Sequence, residues 1–264
     1  MKGIICYYSG SGNTLLACRY IAGRIRKIPF ELFDITKDRT PDLTAYDIVG
    51  FAAFTDFLGP SFLFHRFAQG LPQHNGRLAF VFNTYGYISG KTLREMERLV
   101  SRRGFRVVIG HSLHTPESYP PMVAGGRGNE QAPTLRELKA FEAFIEELDR
   151  VVEEVAAGVV VKKRGAPVSL LSRVLPVFAR TKARKDMGVK FVDEALCTEC
   201  GVCARLCPYG AVALNPRPVF DMNKCYGCWR CFNLCPEKAI YTKKFRGIGH
   251  YPKPPEKLKD KLKL

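Results

Sequence analysis

The sequence predicts an α/β protein: a five-stranded, doubly wound parallel sheet followed by a small α+β module built around cysteines. Over residues 1–157 short β-branched or aromatic runs alternate with helix-like segments, the pattern of a parallel sheet covered on both faces. Eight of the ten cysteines then fall within residues 197–235. They form two copies of one arrangement, CTECGVCARLCP from Cys197 and CYGCWRCFNLCP from Cys225, offset by 28 residues, with Pro208/Pro236, Ala211/Ala239 and Val212/Ile240 also in step.

The predicted strands are GIICYYS (3–9), FELFDI (30–35), DIVGFAAF (47–54), LAFVFNTY (78–85) and FRVVIGHSL (105–113). Helical segments separate them: TLLACRYIAGRIRK, SFLFHRFAQG and SGKTLREMERLVSRRG. A long helix from Thr134 to about Ala157 closes the first domain, because Leu135, Leu138, Phe141, Phe144, Ile145 and Leu148 recur at threes and fours and predict one face packed on the sheet. Residues 158–190 are expected to form a basic linker with one short amphipathic helix, whose apolar residues run from Val168 and Leu170 to Val177 and Phe178. Residues 191–242 hold the cysteine module, and the proline- and lysine-rich tail 243–264 is expected to be poorly ordered.

The formal charge of +16 is uneven: +4 over residues 1–150 and +12 over the rest. Residues 191–242 balance, so the excess flanks the cysteine module. No nucleic-acid recognition module or interleaved aromatic patch accompanies it, which disfavours nucleic acid as the partner. The basic flanks point instead to an acidic docking surface on a partner protein, or to peripheral contact with an anionic membrane, on which the linker helix would lie. The competing reading of that helix is packing between domains. The longest apolar candidate, VSLLSRVLPVF, is broken by Arg173 and Pro176 and falls short of the roughly 18 residues a spanning helix needs. MKGIICYYSGSG has no cleavage-site pattern, and clustered rather than dispersed cysteines argue for metal ligation over disulfides. The expected location is cytoplasmic, or peripheral to the inner face of the membrane.

Each cysteine copy reads C-x2-C-x2-C-x3-C-P, a run that places three thiolates around one cube of iron and sulfide and directs the fourth to a neighbouring one. A zinc site built from paired C-x2-C knuckles leaves the third step and both prolines unexplained. Residues 191–242 resemble the two-cluster ferredoxins. That resemblance implies one [4Fe-4S] cluster on Cys197, Cys200, Cys203 and Cys235, and a second on Cys225, Cys228, Cys231 and Cys207. Gly201 and Gly227 lie inside the loops, where a side chain would crowd the sulfides. Trp229, the single tryptophan, is expected either to shield a cluster or to pack between the halves. Cys6 and Cys18 lack ligand spacing and read as core residues.

After the first strand comes SGSGNT, Ser9 to Thr14, and then a helix: glycines, hydroxyls and a helix N-terminus suited to an anion. It is neither a Walker loop nor a dinucleotide fingerprint, since Leu15 stands where the third glycine would be. It resembles the flavodoxin phosphate loop, although a residue or so shorter than is typical. That resemblance implies a flavodoxin-like strand order 2-1-3-4-5 with FMN beyond the carboxyl ends of the strands. Ser9, Ser11, Gly12, Asn13 and Thr14 would hold the phosphate. The ring would lie between FTDFLGP (54–60) and NTYGYISG (83–90), against Thr84, Tyr85, Gly86 and Tyr87, with Phe57 behind and Tyr119 of TPESYPPM (115–122) closing over it. A phosphate loop that binds no flavin is the alternative.

Together the two halves resemble the flavodoxin–ferredoxin fusion proteins of anaerobic metabolism. The resemblance implies an electron carrier that relays electrons between FMN and two [4Fe-4S] clusters, to or from a partner redox enzyme. The alternatives are a flavin-dependent reductase of a small substrate, with Tyr85, Tyr87 or His114 as candidate proton donors, and a redox-responsive binding protein.

Overall fold

A computed structural model describes residues 1–37, 39–164 and 181–263. Its first domain runs β1 (Gly3–Tyr7), α1 (Asn13–Arg24), β2 (Phe30–Asp34), β3 (Ile48–Asp56), β4 (Gly59–Pro60), α2 (Phe62–Gly70), β5 (Arg77–Tyr85), α3 (Thr92–Ser101), β6 (Phe105–His114), α4 (Pro120–Ala124) and α5 (Leu135–Ala156). The long strands are parallel in the order β2-β1-β3-β5-β6, and the two-residue β4 folds back antiparallel on β3. With β4 set aside this is the flavodoxin-like order, and the direction of winding reverses between β1 and β3.

Successive strand residues face opposite sides of a sheet, so a run that is apolar throughout fills two cores. Ile5, Ile48, Phe80 and Phe82 meet α1 and α5 on one face, while Ile4, Val49, Phe51 and Val81 meet α2 and α3 on the other. Gly50 is dictated by this packing, because a Cβ there would lie 2.3 Å from the Phe80 ring. Helix α5 starts from a reciprocal cap between Thr134 and Glu137 and buries Phe141, Phe144, Ile145, Leu148, Val151 and Val152. Leu135, placed on that face by periodicity, is 77% exposed: packing begins a turn later, at Leu138.

The second part comprises α6 (Thr181–Met187), β7 (Lys190–Val192), α7 (Val202–Arg205), β8 (Val212–Asn215), β9 (Arg217–Phe220), α8 (Arg230–Asn233), β10 (Ile240–Thr242) and α9 (Glu256–Lys261). Strand β7 pairs antiparallel with β10, and β8 with β9. The 28-residue repeat carries β7 onto β9, α7 onto α8 and β8 onto β10. The amphipathic segment Val168–Phe178 lies outside the described residues. No helix among the described residues is long and apolar enough to cross a membrane.

The tail departs from expectation. It returns to the first domain, where Leu258 and Leu262 are buried in the core shared with α1 and α5. The Lys261 ammonium donates to the carbonyls of Gln131 and Pro133. Lysines dominate its composition, but two leucines one helical turn apart suffice to anchor it. Leu258→Ala should therefore lower unfolding stability by about 2–4 kcal/mol, as expected for a fully buried leucine. Denaturant unfolding followed by circular dichroism measures this. A loss below about 0.5 kcal/mol, the usual surface value, would contradict the packing.

Candidate functional site

The loops at the carboxyl ends of the strands form one wall of a cavity of about 350 Å³, and the cysteine module forms the other. Gly10 and Ser11 line it from the first loop, Phe57 and Leu58 from the β3–β4 turn, Gly86 and Tyr87 from the loop after β5, and Glu117 and Tyr119 from the loop after β6. Asp186, Cys228, Trp229 and Asn233 complete it from the opposite side.

The first loop is curled by the Ser9 hydroxyl, which accepts from the amides of Gly12 (3.1 Å) and Leu15 (3.3 Å). Gly12 has a φ of 101°, open to glycine, and Pro254 of the tail lies 2.8 Å from where its Cβ would be. The Thr14 and Thr84 hydroxyls bond at 2.8 Å. Asn13 donates to the Pro116 carbonyl (2.9 Å) and accepts from the Tyr251 hydroxyl (2.8 Å). These side chains fix the loop to its neighbours, while the backbone N–H groups of Gly10, Ser11, Asn13 and Thr14 meet no acceptor among the described residues. Unpaired amides at a helix N-terminus fit a phosphate.

At the second loop, Thr55 pairs with Pro60 and Asp56 with Gly59, leaving Phe57 (φ 53°) and Leu58 (φ 69°) as the two turn residues. Both are left-handed without being glycine, a conformation that costs about 1–3 kcal/mol per residue and persists where surroundings enforce it. Here the Lys91 amide donates to the Leu58 carbonyl (2.8 Å), and a Cβ on Gly90 would fall 2.5 Å from that oxygen. The turn delivers Phe57 into the cavity.

In the loop after β5, Gly86 and Tyr87 line the cavity whereas Thr84 and Tyr85 stand behind it. Tyr85 stacks on His114 with centroids 5.1 Å apart, and the His114 ring nitrogens sit 3.0 Å from Glu137 and from the Gly86 carbonyl. His114 thus braces the loop and is not part of the cavity lining.

Sequence reasoning missed Glu117. Its carboxylate accepts from the amides of Ser118 (2.8 Å) and Tyr119 (2.9 Å), and a Cβ on Gly86 would lie 2.5 Å from its second oxygen. Burial pushes its pKa above the ordinary value, against the lowering effect of the two amides. Also unmarked were Asp186, which accepts from the Tyr119 hydroxyl (2.9 Å), and Asn233, which donates to the Ser118 carbonyl (2.9 Å) and accepts from the Tyr251 amide (3.1 Å).

The eight clustered cysteines line two smaller cavities, Cys197, Cys200, Cys203 and Cys235 around one and Cys207, Cys225, Cys228 and Cys231 around the other. Among the described residues no three His, Cys, Asp or Glu side chains converge on a single ion, and each cysteine set lines a small cavity of its own. Backbone amides of Ala211 and Ala239, repeat partners, each lie 3.3 Å from a sulfur, that of Cys207 and of Cys235. Cys200 is exposed on the outer set, while Cys228 of the inner set also lines the large cavity. Each loop needs two left-handed residues: Glu199 and Gly201 in one, Gly227 and Trp229 in the other. Trp229 thus occupies a position that is glycine in the first copy. It packs edge-on against Tyr119 (5.5 Å), Phe232 (5.8 Å) and Phe245 (5.9 Å), and its buried indole N–H meets no acceptor among the described residues. Cys6 and Cys18 are buried with thiol pKa values raised by desolvation, as core residues should be.

A family model described as a 4Fe-4S dicluster domain matches residues 196–239. A component of an ion-translocating oxidoreductase complex of Methanosarcina acetivorans is 39% identical over 57 residues, covering 21% of this chain and 22% of that protein. A ferredoxin of Pyrobaculum islandicum is 37% identical over 51 residues, covering 19% of this chain and 48% of that one. The chain therefore spans less than half the length of these curated relatives. Among solved structures, flavodoxin 1 of Bacillus cereus is similar over 61% of this chain and 100% of its own, at 20% identity and a TM-score of 0.42. Rubredoxin oxygen:oxidoreductase of Desulfovibrio gigas is similar over 59% of this chain and 37% of its own, at 16% identity and a TM-score of 0.45. The strand order itself defines the flavodoxin-like fold. The chain is a fusion of a flavodoxin-like domain with a 4Fe-4S dicluster domain, and residues 196–239 bring iron–sulfur redox chemistry to it.

Because the folded chain holds the Glu117 proton above the ordinary value of 4.5, where the unfolded chain loses it, this group's contribution to stability is present below about 4.5 and is lost as pH rises through the folded value. Glu117→Gln keeps an acceptor and removes the charge. Relative to the parent, it should gain stability as pH rises through the folded value of Glu117, measured by denaturant unfolding from about pH 4 to 8. A parent that gains stability relative to the variant across that interval would contradict the assignment.

Proposed function

We propose that the chain is an electron-transfer protein in which FMN and two [4Fe-4S] clusters form an intramolecular relay that exchanges electrons with a partner redox enzyme. One observation carries this reading: a single cavity is lined by Ser11 of the phosphate loop, by Phe57 and Tyr87 of the ring loops, and by Cys228 of the inner cysteine set. Flavin, when bound, exchanges one or two electrons, whereas an iron–sulfur cluster passes one at a time.

The chain's own residues have distinct tasks in this scheme. The amides of Gly10, Ser11, Asn13 and Thr14 hold the phosphate, with the Ser9 and Thr14 hydroxyls keeping the loop in shape. Phe57, Gly86, Tyr87 and Tyr119 enclose the ring, and Tyr119 with Trp229 excludes water between ring and inner cluster. The inner cluster rests on Cys225, Cys228, Cys231 and Cys207, and the outer on Cys197, Cys200, Cys203 and Cys235. The exposed Cys200 marks the outer cluster as the exit to the partner. Residues 1–157 carry the flavin and 191–242 the clusters, and the basic stretches 158–190 and 243–264 favour an acidic partner surface or an anionic membrane in the cytoplasm.

Glu117 favours a second reading, direct reduction of a small substrate in the same cavity. It places in the cavity wall a carboxyl whose pKa burial raises above the ordinary value, where a substrate being reduced needs a proton.

Cofactor analysis of the anaerobically purified or reconstituted chain tests the proposal. About eight irons, eight sulfides and one FMN per chain are expected. Zinc in place of iron, or failure to take up flavin, would overturn it. Cys207→Ala should abolish the EPR signal of the inner cluster and spare the outer one; loss of the outer alone would contradict the exchange of ligands between copies.

A further inference from the structure

We infer that Lys190 is the electrostatic control of the inner cysteine site: its ammonium gives the [4Fe-4S] cluster beside the flavin cavity the higher reduction potential of the two. The inference rests on the proposed assignment of the two cysteine sets to clusters. It goes beyond that assignment by saying which cluster holds the first electron.

Lys190 opens β7 and is only 5% exposed. Its Nζ lies 2.9 Å from the Cys225 sulfur, and it lines the cavity shared by Cys207, Cys225, Cys228 and Cys231. Among the described residues no carboxylate pairs with it. A buried ammonium with no carboxylate is costly unless another negative centre faces it, and thiolates around an iron–sulfur cluster are such a centre.

The internal repeat supplies the control. Moving 28 residues along from Lys190 reaches Pro218, in β9, which lines the outer cavity as Lys190 lines the inner one. Proline has no charge and no proton to donate. One pair of backbone donors is matched, since the Ala211 and Ala239 amides both reach their sulfurs at 3.3 Å, and the outer Cys203 is also faced by the amides of Cys203 and Ala204, so the charge of Lys190 is the feature peculiar to the inner site. Charges lining the two cavities also differ: Arg230 lines the inner cavity, whereas Glu237 and Glu199, the latter paired with Arg217 at 3.4 Å, line the outer.

Reduction by a one-electron donor, the flavin or an external reductant, adds one negative charge to the cluster and its thiolates and breaks no bond. A cation at hydrogen-bond distance in a low-dielectric site stabilises that more negative state, and salt screens it little. Among the described residues no side-chain cation lies at hydrogen-bond distance from an outer sulfur, the nearby Arg205 donating instead to the Cys200 carbonyl. The first electron therefore resides next to the flavin, and the outer cluster is filled second, at the lower potential, toward the partner.

An anaerobic redox titration of the full-length chain, followed by EPR after iron analysis, tests this. The parent should show two midpoints, and Cys207→Ala should remove the higher one. Lys190→Met should shift the inner midpoint downward and leave the outer unmoved, Lys190→Arg should restore it, and Pro218→Lys should raise the outer. If Lys190→Met loses iron, Lys190→Gln, which keeps a donor without the charge, must give the same downward shift. A full iron complement with an inner midpoint that stays or rises, or with both midpoints falling together, overturns the role of Lys190. A parent lacking about eight irons overturns the cluster assignment itself.

Discussion

Everything at this site depends on how the second cysteine loop docks against the carboxyl end of the sheet. Tyr226 makes the contact. Its ring stacks on Tyr209 (4.7 Å) and Phe62 (6.0 Å), and its hydroxyl accepts from the Phe62 amide (3.2 Å) and donates to Asp56 (3.3 Å). Cys228 and Trp229 follow within three residues, so the same contact that joins the domains brings a cysteine of the inner set to the cavity. The tail secures the arrangement from the other side, because Tyr251 bonds both Asn13 of the first loop and Asn233 of α8.

Three strained positions lie where the two domains meet. Phe57, Leu58 and Trp229 are left-handed without being glycine, and all three line the cavity. Such conformations are retained when neighbours over-determine them. Gly90 and the Lys91 amide fix the hairpin tip, and Tyr119, Phe232 and Phe245 fix the indole. Glycine at position 229 would relieve the backbone and remove the wall. The cost of these positions is thus linked to the wall that separates the large cavity from the inner cysteine set.

The sheet and the grouping of cysteines are legible in the sequence because each has a short-range signature, apolar periodicity and a two-residue cysteine step, whereas the strand order follows only from the resemblance that the glycine-rich turn carries. The hairpin tip is not, since a left-handed turn normally announces itself with glycine or asparagine and this one uses Phe57 and Leu58. Glu117, Asp186 and Asn233 acquire their positions from contacts between distant segments and belong to no motif. Proximity in sequence makes Tyr85 a ring contact and His114 a proton donor, yet the ends of β5 and β6 stack the two on each other. In the tail, lysines mask two anchoring leucines, and Lys190 becomes meaningful only when the repeat sets it beside Pro218.

In the proposed relay a flavin and the inner cluster would exchange electrons across the wall formed by Cys228 and Trp229. Pulsed photoreduction of the flavin, with flavin and cluster absorbance followed over a range of protein concentrations, tests it most directly. The electron is expected to reach the clusters in a first-order process whose rate is independent of concentration. A rate that rises in proportion to protein concentration, or an electron that stays on the flavin, would contradict it.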